Sequence, residues 1–136
     1  MSVYDSRSLA PTWIAVVSLF EGGSLLAFAV LHVAAERLGF ITTALGPVLV
    51  VESLCGAFLL VAAYATATGR QWAWPVALGA HGAAIVGVLV GITTLARTAS
   101  GAPENAVFHP FMLAVLVPTT AYLLTRSGRR NLLPVG

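Results

Sequence analysis

Lysine is missing altogether, and charge of either sign is scarce: seven arginines and five acidic residues make up 9% of 136 positions. A net charge of +2, scattered along the chain, is too small for a nucleic-acid interface and excludes nucleic acid as a partner. Cysteine is nearly missing too. A lone Cys55 excludes an internal disulfide, and neither the C-x-x-C of redox motifs nor the clustered Cys/His spacing of zinc sites occurs. Cys55 therefore reads as a small hydrophobe. Connections long enough for a soluble domain are also lacking: of LGFITT, TGRQ and ARTASGAPEN, which join the apolar runs, only the last could hold even a small cap. An all-arginine basic complement points to a GC-rich bacterial coding sequence of actinobacterial type.

Apolar residues fill the space left: 58% of the chain, with a mean hydropathy of +0.91, outside the range of soluble domains. Four runs, 13–35, 44–67, 72–95 and 108–125, reach the roughly 20 residues needed to cross about 30 Å of hydrocarbon. Pro11, Pro47, Pro75 and Pro110 fall in or just before the expected first turns, where a missing N–H costs nothing. The expected fold is all-α: one domain over 1–136, an antiparallel up-down bundle of four transmembrane helices. The opening MSVYDSRSLAPTW sets Asp5 against Arg7 and lacks the basic start of a signal peptide, so the first run is expected to be a retained span. A bend is expected at Pro118, where a backbone donor is lost and Thr119 and Thr120 stand ready to help.

Orientation follows from the arginines. Arg7, Arg70, Arg126, Arg129 and Arg130 fall on one side of a four-span topology, and Arg37 and Arg97 on the other. Both termini are expected in the cytoplasm of a bacterium, the protein lying in its plasma membrane. Trp13, Trp72 and Trp74 then sit at the cytoplasmic interface, where indole is favoured. In the third span Gly79, Ala83, Gly87 and Gly91 recur every four positions, a packing seam for the bundle or for a homo-oligomer or larger membrane complex. In the second, Glu52, Gly56, Ala63 and Ala67 share one side and Val50, Leu54, Phe58 and Val61 the other. The carboxyl side should face protein and the bulky side membrane lipids.

The apolar runs nevertheless carry ionisable groups. Glu21 and His32 differ by three helical turns plus about 20°, and Glu36 lies about 40° further round, so all three share a face of the first helix. Depth sorts them into two layers. Glu21 and His81 each lie about 12 Å inside the cytoplasmic edge and can pair, pinning the first helix to the third or binding a ligand or proton. His32, Glu52 and His109, with Glu36 at the rim, occupy the other half, about 16 Å away along the first helix. His32, Glu36 and Glu52 are the candidate acid–base residues; Glu21, His81 and His109 are candidates for ligand or proton binding. Two imidazoles with carboxylates have the donors for iron, manganese or zinc, and His32 with His109 those for a haem, but the spacing matches no metal motif, so no metal or cofactor is assigned.

With a glutamate in the first of four spans, SLFEGG, the chain resembles the small multidrug resistance transporters, which implies proton exchange at Glu21 against lipophilic cations. FAVLHVAAER, an aromatic followed by H-x-x-x-E, resembles the sterol-isomerase and sigma-2-receptor group, which implies proton transfer or amphiphile binding at His32 and Glu36. In size and span count the chain resembles DoxX-like membrane proteins. The residues themselves point first to a non-catalytic accessory subunit or lipophile-binding component of a membrane assembly. An intramembrane acid–base enzyme acting on a lipid, sterol-like or isoprenoid substrate comes second, and a proton-coupled transporter depending on Glu21 third.

Overall fold

The computed structural model describes residues 9–39, 46–98 and 103–132. Among them are four long helices, α1 (Leu9–Arg37), α2 (Gly46–Ala67), α3 (Ala73–Thr98) and α4 (Pro103–Leu124), and a short α5 (Arg126–Leu132). The first four are long and apolar enough to cross a membrane, and they pack together as an all-α bundle. A helix covers each of the four apolar runs, with most ends moved by a few residues, and α5 follows the last of them. The longest, α1, has 29 residues, and at 1.5 Å per residue it exceeds the hydrocarbon thickness by about 13 Å.

Local chemistry sets the ends. After α2, Gly69 takes φ +61° while Arg70 N–H donates to Ala65 O at 2.9 Å and Gly69 N–H to Thr66 O at 3.3 Å, the paired closure that needs a left-handed residue. Gly39, at φ +76°, follows the end of α1, and its N–H donates to Glu36 O at 3.1 Å. Most of the connection after α1, LGFITT at 38–43, lies outside the described residues, as do positions 99–102 between α3 and α4. The expectation for Pro110 is corrected: α4 begins at Pro103, which takes the start of the helix, and Pro110 lies inside. The helix also continues through Pro118. Thr119 and Thr120 do not serve the carbonyl of Ala114 that Pro118 leaves without a donor; their hydroxyls donate to Val115 O and Leu116 O, at 2.8 and 2.7 Å.

Packing is closest between α1 and α2, then α2 and α3, then α3 and α4, while α1 and α4 meet mainly through side chains. The tightest approach is backbone on backbone: a Cβ on Gly22 would lie 2.8 Å from Gly56 O, and one on Gly56 would lie 3.0 Å from Gly22 O. As expected, Val50, Leu54, Phe58 and Val61 of α2 face outward and Glu52, Gly56 and Ala63 inward, although Ala67 is exposed. The glycine row of α3 is not one seam. Gly79 and Ala83 are exposed, Gly87 meets Cys55 and Val51, and Gly91 is buried against His109. Four-residue steps advance about 40° each, so the row winds about 120° from the outside of the bundle to its interior.

At the tryptophan-rich end, Trp74 Nε1–H donates to Leu123 O at 2.9 Å, Arg129 lies over the Trp74 ring, and Trp13 meets Tyr122 edge to face. Thr125 Oγ1 accepts from Gly128 N–H, an N-cap that starts α5 and turns it back against the bundle, where Leu132 is buried.

Candidate functional site

The inward faces of the helices bring five of the six candidate residues into two layers. In the inner layer Glu21 of α1 and His81 of α3 are both fully buried, with Glu21 Oε2 3.0 Å from His81 Nε2. His81 Nδ1 is 2.7 Å from Ala77 O one turn earlier. A carbonyl can only accept, so Nδ1 carries a hydrogen, and Nε2 is the ring nitrogen turned toward the carboxyl. The distance is that of an ion pair, but the angles miss those of a hydrogen bond, so both Glu21 oxygens and His81 Nε2 keep unfilled capacity. The pair is a close electrostatic contact of imperfect alignment. Ser18 Oγ, one turn before Glu21, is likewise buried without a partner.

In the outer layer His32 Nδ1 lies 3.0 Å from Glu52 Oε2, with both side chains 6% exposed. His109 Nε2 lies 3.9 Å from the other oxygen, Oε1. Glu52 thus stands between an imidazole within hydrogen-bonding distance and one just outside it. Two phenylalanines brace the imidazoles. Phe28, one turn before His32, stacks on Phe108, the neighbour of His109, with centroids 3.8 Å apart and planes 2° from parallel. Phe28 meets both imidazoles edge on, at 5.0 Å for His32 and 6.4 Å for His109. The sequence offered Phe28 only as the aromatic of FAVLHVAAER, and nothing in it placed Phe108 opposite. Glu36 is not part of the layer: it is exposed near the end of α1 and does not line the cavity beside Glu52.

That cavity, about 60 Å³, is walled mainly by α2 and α3, with Leu25 of α1 and His109 of α4. Glu52, His109 and Thr94 supply polar groups to a wall that is otherwise mainly apolar, including Leu25, Cys55 and Val88. Close approach is possible because α3 has glycine at the contacts: a Cβ on Gly91 would lie 2.9 Å from His109 Nε2, and one on Gly87 would lie 2.9 Å from Cys55 Sγ. Among the described residues no three His, Cys, Asp or Glu side chains converge as a metal site would require. The arrangement can hold and move a proton between carboxyl and imidazole, and it can receive a hydrogen-bond donor at Glu52.

No protein-family model, no curated protein and no solved structure matches this chain.

Proposed function

We propose that this chain is a lipophile-binding or accessory component of a bacterial plasma membrane, with both termini cytoplasmic, and that Glu52 holds the polar end of its ligand. One observation carries the reading: Glu52 Oε1 is buried, lacks a hydrogen-bond partner and belongs to the wall of an otherwise mainly apolar cavity. A buried acceptor left unmatched costs about 1–3 kcal/mol, a cost that a ligand donor would relieve. If a larger assembly forms, Gly79 and Ala83 are the part of the α3 row left open to a neighbouring chain.

The test is to purify the protein from native membranes as wild type, Glu52→Gln and Glu52→Leu, and identify retained lipids and proteins by mass spectrometry. A lipophile retained by wild type, reduced in Glu52→Gln and lost in Glu52→Leu is the expected result. Identical lipid complements in all three would sink the proposal.

A second reading has its own support. The 3.0 Å contact between His32 and Glu52 is the geometry of a carboxyl and imidazole that exchange a proton, as an intramembrane acid–base enzyme acting on a lipid or isoprenoid would need. Turnover of the retained lipophile, lost in His32→Ala, would favour it. The transporter reading has less support, since Glu21 points into its own bundle toward His81 instead of toward a partner chain.

A further inference from the structure

The cavity makes one polar demand and has an apolar exit. Among the described residues, Glu52 Oε1 is the buried side-chain polar atom of its wall without a hydrogen-bond partner, on a residue 5% exposed. Away from Glu52 the wall passes Val51 and Gly87 to Pro47 and Val90, both exposed at the seam between α2 and α3. The flanking surface, Val50 and Leu54 on α2 with Val86 and Leu89 on α3, is exposed and apolar. In a spanning bundle such a surface faces lipid.

Resting on the lipophile-binding reading, we infer that the site fills sideways from the membrane through the α2–α3 seam, and that its ligand is a long-chain alcohol whose hydroxyl donates to Glu52 Oε1. Size sets the first limit. One water needs about 10–15 Å³ of such space, so about 60 Å³ takes a hydroxyl and a few carbons. The rest of the chain must lie outside, along Val51 and Val90. Donor count sets the second. An alkane brings no donor, and an ammonium brings three to a single unmatched oxygen, leaving buried N–H groups unsatisfied. An ionised phosphate or carboxylate head has acceptors only and brings no donor to Oε1. A hydroxyl brings one donor, and its oxygen then lies close to His109 Nε2, itself 3.9 Å from Oε1.

Cys55, the single cysteine of the chain, lies in the same wall and reports occupancy without an added label. The protein is placed in phosphatidylcholine nanodiscs, and its alkylthiolation by the small, membrane-permeant methyl methanethiosulfonate is followed with hexadecanol, hexadecylamine or hexadecane present. Melting temperature is measured in parallel, in case Cys55 reacts too slowly to follow. Hexadecanol should slow the reaction about tenfold when nine-tenths of sites are filled, raise the melting temperature with concentration, and lose both effects in Val90→Trp, which plugs the mouth. Hexadecane should do neither. Protection by hexadecylamine exceeding that by hexadecanol overturns the alcohol, and protection undiminished in Val90→Trp overturns the sideways route. If hexadecanol moves neither readout while a Glu52-dependent lipophile still co-purifies, this inference fails and the lipophile-binding reading stands. If no Glu52-dependent lipophile co-purifies either, both fall.

Discussion

The two polar layers use the same chemistry, one carboxyl against one imidazole at 3.0 Å, and differ in what surrounds it. Around the inner pair, Glu21 and His81 are sealed at 0% exposure, and the second ring nitrogen of His81 is tied to its own helix at Ala77 O. Around the outer pair there is a third group, His109, an aromatic brace and a cavity with an apolar mouth. An ionisable pair in a membrane helix is therefore not informative by itself. Access distinguishes a pin between helices from a place where something can bind, and access is set by the neighbours: glycines at positions 87 and 91, and a phenylalanine pair spanning α1 and α4.

The largest effect should come from breaking the inner layer on one side. His81→Leu leaves the Glu21 carboxyl fully buried without the imidazole beside it, and removing one partner of a buried pair costs about 3–5 kcal/mol. Thermal or denaturant unfolding in detergent should show that loss, and Glu21→Leu combined with His81→Leu should recover most of it, because two apolar groups replace two imperfectly aligned polar ones. Retained lipophile should be unchanged in the double variant. A ligand lost there would mean that the inner layer is also a site, and the contrast would collapse.

Next in size is the outer layer. Glu52→Leu removes the partner of His32 Nδ1 and should cost about 1–3 kcal/mol. Glu52→Gln keeps the shape and one acceptor oxygen, so its melting temperature should stay close to wild type while ligand retention falls, because an amide oxygen kept on His32 Nδ1 turns the NH2, which cannot accept from a hydroxyl, toward the cavity. Stability and binding should thus separate at Glu52 and not at Glu21. Equal stability losses for Glu21→Gln and Glu52→Gln, with no effect on ligand, would make both layers structural.

Which parts of this contrast could be read without coordinates depends on the range of the signal. Span positions, the outward face of α2 and the division into two depths follow from period and rise along a single helix, and Glu21, His81, His32, Glu52 and His109 lie where that arithmetic puts them. What failed required knowing how helices are rotated against one another. The row from Gly79 to Gly91 is straight in sequence but winds around α3, so half of it faces out. Phe28 and Phe108 are 80 positions apart on helices that approach mainly through side chains, and no local pattern pairs them. The start of α4 was missed because the polar PEN at 103–105 extends the helix beyond its apolar run, and α5 because a polar RSGRRNL has no membrane signature.

The aromatic brace offers a smaller effect. A double-mutant cycle with Phe28→Leu and Phe108→Leu should give a coupling of about 0.5–1.5 kcal/mol. Because Phe28 also meets both imidazoles, Phe28→Leu alone should lower ligand retention more than Phe108→Leu does. A coupling of zero in unfolding measurements would show that the stack does not hold α1 to α4.

The smallest change in stability should come from the most local probe of access. Alanine in place of helical glycine gains up to about 1 kcal/mol through propensity. At Gly79, where an added Cβ meets nothing within 4 Å, Gly79→Ala should show that gain or no change, and ligand retention should match wild type. At Gly91 the new Cβ would lie 2.9 Å from His109 Nε2, the end of a side chain that can give way, so the gain and the strain should nearly cancel in unfolding measurements. The imidazole must nevertheless move, and it moves relative to Glu52 Oε1, now 3.9 Å away. Gly91→Ala should therefore leave the melting temperature within a few degrees of wild type while altering ligand retention and the reactivity of Cys55 on the same cavity wall. If both alanine variants are silent in every readout, the position of His109 does not matter to the site, and the outer layer differs from the inner one only in its exposure.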